Sequence, residues 1–175
     1  MKRRIRNVLV PVDFSPHATK TLHAAAAFCI RNDARLTLLY VMETSAFVFP
    51  ENRLTPSLLP QLVGAADQSL KKQARLLVDT YGVTVDVRVV CGEVAEEIIR
   101  FADTAGMDVV IAGMAREHVT SQPPHRSIER RIASRADCPV LTLSATRKKV
   151  PVSGTAGLVK AKIKLYEDGV TEYIR

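Results

Sequence analysis

Residues 5–42 read IRNVLVPVDFSPHATKTLHAAAAFCIRNDARLTLLYVM, and the order of patterns within them decides the fold. Ile5–Val12 is a short apolar run rich in β-branched residues, as a buried strand requires. Asp13 and Ser15 follow. A Ser oxygen can accept from the first free amides of a helix, and Pro16 suits the first turn because its missing N–H has no partner there. Leu22, Ala25, Ala26, Cys29 and Ile30 then recur at helical spacing until Asn32 and Asp33. Arg35–Met42 is a second apolar strand. A buried strand, a helix and a second buried strand make a βαβ unit, and its strands run parallel.

The alternation continues outward from that unit. Glu43 to about Pro56 is irregular. A helix is expected from about Ser57 to Tyr81, with Leu59, Leu62, Val63, Ala66, Leu70, Ala74, Leu77 and Val78 on its apolar side and Gly82 at its end. Val83, Val85, Val87 and Val89 alternate with polar residues, which predicts a strand with one wetter face at a sheet edge. Gly92 precedes a third helix, with Val94, Ile98, Ile99, Phe101 and Ala102 turned inward. Asp108–Gly113 is a fourth buried strand. A loop leads to a helix over Ser127–Arg135, and Cys138–Leu143 is a fifth strand. Strands alternating with helices imply a parallel sheet with right-handed crossovers, and such sheets bind ligands at the carboxyl ends of their strands. Residues 150–175 break the pattern. LVKAKIKLY alternates, Glu167-Asp168-Gly169 offers turn chemistry, and VTEYIR resumes the alternation. A C-terminal β-hairpin outside the main sheet is expected, packed on this domain or on a partner subunit.

Composition narrows the class. Hydrophobic residues make up 47% and charged residues 25%, as in ordinary globular domains. No apolar run approaches the ~18 residues of a membrane span, which excludes a membrane partner of that kind. The basic and then apolar N-terminus is interrupted by Asp13 and reads as a strand, not a targeting segment, so a cytoplasmic location is expected. Cys29, Cys91 and Cys138 show no CxxC spacing and read as buried structural thiols. The net charge of +7 lies partly in Lys2, Arg3, Arg4 and Arg6 and partly in Arg147, Lys148 and Lys149. Only 5% of residues are aromatic and none is Trp, which leaves few stacking platforms for nucleic acid.

Five landmarks in order resemble the universal stress protein family. They are VLVPVDFS, LTLLYVME, CGEVAEEIIRFA, DVVIAGMA and RSIERRIASRADCPVLTL, spread over about residues 4–144. The resemblance implies an α/β fold of three layers, Rossmann-like (adenine nucleotide alpha-hydrolase-like), with a five-stranded parallel sheet in the order 3-2-1-4-5. It divides the chain into a domain over 1–146 and a hairpin extension over 147–175. It also implies a homodimer through the last strand, Val140–Leu143, which the hairpin would extend or clasp. In similar ATP-binding proteins the nucleotide lies across the ends of the first and fourth strands. Their motif is Gly, two residues, Gly, nine residues, Gly, then Ser or Thr. By that spacing the matching residues here are Gly113, Arg116, Arg126 and Ser127. The resemblance adds Pro11, Val12 and Asp13 at the first strand's end, Val41 beside adenine, and Met114 and Ile128 flanking the phosphate loop. The implied ligand is ATP or AMP, with Mg2+ only as the companion of ATP.

Two of the three motif glycines are arginine. Glycine permits positive φ and close backbone approach to phosphate oxygens, and an arginine at such a position costs roughly 1–3 kcal/mol of strain. Pro123 and Pro124 stiffen the same loop and remove two amide donors. Three readings follow. In the first, a dimeric stress-response binding module keeps the fold, and its degenerate ATP motif binds nucleotide weakly or differently. In the second, Arg116 and Arg126 serve as bidentate phosphate ligands in place of loop amides. In the third, Arg126, Arg130, Arg131 and Arg135, with Arg116, form a basic helix face for nucleic acid or an acidic partner. Each site residue also has a plain structural reading: Asp13 as a helix cap, Val41 as core, Gly113 as a tight turn. An enzyme is not expected, since His17, His23, His118 and His125 lack a motif partner and no GxSxG elbow occurs. Slow ATP hydrolysis stays compatible with the fold.

Overall fold

The computed structural model describes residues 4–15, 18–43, 58–113, 128–143 and 170–173. The elements run β1 (Asn7–Pro11), α1 (Ala18–Asn32), β2 (Arg35–Glu43), α2 (Leu58–Tyr81), β3 (Val85–Gly92), α3 (Val94–Thr104), β4 (Val109–Gly113), α4 (Ile128–Arg135), β5 (Val140–Leu143) and β6 (Val170–Tyr173). They form one sheet in the order β3-β2-β1-β4-β5-β6. The first five strands are mutually parallel, in the expected order 3-2-1-4-5.

Strand alternation sorts the core into two layers. Val8, Val10, Leu36, Leu38, Val109 and Ile111 pack with α1 and α2. Leu9, Leu39, Val41, Val110 and Val140 pack with α3 and α4 on the opposite face. Burying each such side chain contributes about 1.5–3 kcal/mol before entropy is counted. Local signals set the helix ends. Gly82, at φ 67°, follows α2 in the left-handed region that favours glycine, and its N–H reaches the Val78 carbonyl at 2.8 Å. Glu93 caps α3, accepting from the Ala95 and Glu96 amides at 3.4 and 3.0 Å.

Several expectations need correcting. The VTEY arm is not outside the main sheet: β6 pairs antiparallel with β5, from Val140 opposite Tyr173 to Leu143 opposite Val170. A short apolar strand exposes unpaired amides and carbonyls along its edge, and β6 satisfies them. The proposed first arm of the hairpin, LVKAKIKLY, lies outside the described residues. The Val140–Leu143 edge expected to join two subunits is therefore occupied by the chain's own C-terminal strand. In α2, Leu59, Leu62 and Val78 are exposed. Leu59 and Leu62 fall in its first turns, and α2 has 24 residues against 8 in β3. At their usual rises those lengths are about 36 Å and about 26 Å, so the helix outruns the sheet. Ile30 of α1 is exposed as well. Of the thiols, Cys29 is buried and Cys138 half-buried, but Cys91, at the end of an outer strand, is exposed. Burial pushes the Cys29 thiol up to about 12, which leaves it protonated and unreactive.

Leu38 is fully buried between the sheet and α1–α2. Leu38→Ala is expected to lower the unfolding free energy in urea by about 2–5 kcal/mol. A loss under about 1 kcal/mol would contradict that packing.

Candidate functional site

The crossovers place α1 and α2 on one face and α3 and α4 on the other. The change of face falls between β1 and β4, the position where open α/β sheets form their ligand crevice. The pairing shows the opening. β1 stays with β2 as far as Pro11 opposite Leu39, but pairs with β4 only at Val8–Val109 and Leu9–Val110. Toward their carboxyl ends, β1 and β4 part.

Most of the expected site residues that the structure describes line this end of the sheet. Pro11 ends β1. Val12 is buried, and its N–H donates to the Leu39 carbonyl at 2.8 Å. Asp13 is exposed, and its Oδ1 accepts from the Ser15 amide at 2.9 Å. It thus holds the turn into α1, where Phe14 has φ 57° and packs against Tyr40 with ring centroids 4.7 Å apart and the rings tilted by 44°. The Ser15 hydroxyl in turn accepts from the Ala18 amide at 3.3 Å, as a helix cap does. Val41 packs its side chain into the α3 layer. Two residues beyond Leu39, its backbone N–H and C=O face the same side, toward the space past Val12. Ile128 opens α4 and is exposed. Met114, Arg116, Arg126 and Ser127 lie outside the described residues.

Gly113 ends β4, and its glycine requirement comes from space. Its φ is not among the positive ones, but a Cβ there would meet the Thr21 Oγ1 at 2.5 Å. Thr21 is a buried residue of α1. A lone Thr in a helix carries no signal of such a contact in the sequence. The helix and the strand end touch at this point, and that contact sets one wall of the crevice.

The basic helix face needs correction. Arg131 donates to both Glu93 oxygens, at 2.9 and 3.1 Å, and to Glu96 at 3.0 Å. Arg135 donates to both Glu96 oxygens, one of them at 2.9 Å. Two of the three arginines of α4 are thus engaged at the start of α3, where they fasten α4 beside the crevice; Arg126 lies outside the described residues. Partial burial pushes the Glu93 carboxyl up, but the Glu96 amide, Arg131 and the Ala95 amide outweigh it and hold the group below its ordinary value. The Arg135 guanidinium, assisted by Arg131, does the same for Glu96. His23 is also engaged elsewhere: its Nδ1 lies 2.9 Å from the Tyr81 hydroxyl, between α1 and α2. A groove of about 360 Å3 runs between α2 and β3, away from the strand ends that form the crevice.

The sequence matches the Universal stress protein family over residues 4–144, most of the chain. The chain belongs to that family. It is similar to Universal stress protein MJ0531 of Methanocaldococcus jannaschii, 23% identical over 144 residues, which are 82% of this chain and 85% of that one. Among solved structures, the hypothetical protein MJ0577 matches with a TM-score of 0.69 at 23% identity, over 83% of this chain and all of that chain. A universal stress protein in complex with cAMP matches with a TM-score of 0.60 at 16% identity, over 82% of this chain and all of that one. One from Archaeoglobus fulgidus in complex with dAMP matches with a TM-score of 0.57 at 16% identity, over 80% and 98%. These likenesses establish the family fold.

Two outcomes follow from the site. Gly113→Ala is expected to cost roughly 1–3 kcal/mol in denaturant unfolding, because the stiff Thr21 must shift; an unchanged midpoint would refute the contact. Glu93 and Glu96 have lowered folded-state pKa values, so the stability they contribute is fully present above their ordinary 4.5 and is lost as pH falls through the folded values. Thermal melts should therefore drop more steeply below pH 4.5 in the wild type than in an Arg131→Ala/Arg135→Ala double variant, and added salt should narrow the gap.

Proposed function

We propose that this universal stress protein is a stress-response binding module, not an enzyme. In this reading its crevice between β1 and β4 accepts the adenosine part of a nucleotide, while an altered phosphate loop weakens the hold on ATP. One observation carries the reading. Val12, Asp13, the Val41 backbone and Gly113 border the crevice, whereas two phosphate-loop glycine positions, 116 and 126, are arginine. That relatives of the same fold have been solved with cAMP and dAMP supports an adenine nucleotide as the ligand class. Among the described candidate groups, Asp13 and Ser15 serve the turn into α1 and His23 serves the α1–α2 contact, which supports a binding role over a catalytic one; His17, His118, His125 and Ser127 lie outside the described residues. A cytoplasmic location fits three cysteines present as free thiols. A homodimer through Val140–Leu143 would require β6 to leave the sheet, so it forms no part of this reading.

The alternative in which Arg116 and Arg126 grip the phosphates is separated by one titration. Calorimetry with ATP, ADP and AMP, with Mg2+ present, should show ATP binding weaker than about 100 µM in the wild type. Arg116→Gly/Arg126→Gly should tighten ATP binding about tenfold or more. Micromolar ATP binding by the wild type that weakens in the variant would overturn the reading in favour of arginine ligands.

A further inference from the structure

β3 ends the sheet on the side opposite β6, and among the described residues no strand pairs with its outer edge. The ladder tells which backbone groups that edge presents. The Leu36 N–H donates to the Thr84 carbonyl at 2.9 Å, so Thr84 and every second residue after it face β2. The N–H and C=O of one residue leave a parallel-paired strand on the same side. The outward groups are therefore those of Val85, Val87 and Val89. The Arg88 guanidinium covers one of them, donating to the Val87 carbonyl at 2.8 Å. Side chains alternate as well: the three valines pack on the α1–α2 core, while Asp86 and Arg88 are exposed.

These alternations restrict how β3 can meet a second strand. In an antiparallel pair about a two-fold axis, outward residues must face outward residues. Centred on Val87, the pair sets Val87 opposite Val87 of a second copy, and Val85 opposite its Val89, as hydrogen-bonded pairs. The intervening, more closely spaced pairs then set Asp86 opposite Arg88, once on each side of the axis. Centred on Val85 instead, Asp86 meets Thr84; centred on Val89, Arg88 meets Val90 and Asp86 meets Gly92. Only the Val87 register matches opposite charges. The groove between α2 and β3 adjoins this edge, and its lining mixes Ala74, Val78, Val85 and Val87 with the charged Lys71, Arg75 and Asp79.

We propose that β3 is a self-association edge: a second copy of this chain adds its own β3 antiparallel, in the register centred on Val87. On pairing, the Val87 carbonyl exchanges the Arg88 donor for the second copy's amide, and Arg88 turns to Asp86 across the axis. Exposed ion pairs are weak, so the association is reversible and salt-sensitive.

Sedimentation equilibrium of the full chain, without nucleotide and at low salt, tests this. The expected result is a monomer–dimer equilibrium in the range of about 1–100 µM. Asp86→Arg and Arg88→Asp, which put like charges opposite each other, should each weaken it about tenfold or more, and the double swap should return to within about threefold of wild type. Val87→Pro removes an outward amide without touching the β2 ladder and should abolish the dimer while thermal melts show a folded chain. The proposal is overturned by a wild type that stays monomeric throughout, by a dimer indifferent to both single swaps, or by a double swap that fails to restore association.

Discussion

Val8 and Val10 turn toward α1 and α2, while Leu9 between them turns toward α3 and α4. All three are essentially without solvent exposure. A strand buried on both faces must have neighbours on both edges too, because its amides and carbonyls find no water. β1 meets that demand with β2 on one side and β4 on the other. The central place of β1, the two-layer helix cover and the change of crossover face beside it all answer the same constraint.

The crevice is a by-product of that arrangement. The helices that follow β1 and β4 lie on opposite faces, so the two chains diverge as they leave the sheet. What the protein adds is a set of contacts that hold the divergence open in one shape. Asp13 fixes the exit from β1, the Thr21 side chain packs where Gly113 has none, and Arg131 and Arg135 bind α4 to the start of α3. None of these contacts is large. The ion pairs are half-exposed and individually weak. Their importance is positional, since each fixes an element that borders the crevice.

The two ends of the sheet are handled differently. At β5 the chain supplies its own closing strand in the opposite direction. At β3 it relies on charged side chains, with Arg88 folded over an outward carbonyl, which is a common way to blunt an exposed edge. A blunted edge and a selective one can be the same object: alternating Asp and Arg discourage a generic strand yet suit a copy of themselves.

The βαβ order was legible because it rests on local periodicity. Ile5–Val12, Arg35–Met42 and Asp108–Gly113 are apolar runs that suit only doubly buried strands, and the helices between them show their stripes. Asp13 and Gly113 could be singled out from their place at strand ends. Position alone did not reveal that Gly113 is required by the Thr21 hydroxyl, that Arg131 and Arg135 belong to Glu93 and Glu96, or that the last strand seals β5. Those facts join residues far apart in the chain, with no periodic signature linking them. Sequence thus determined which segments become strands and helices, because burial on one or both faces imprints itself on neighbouring residues. Which charges meet, which edge is closed and which glycine needs its missing side chain were decided only when folding brought distant segments into contact.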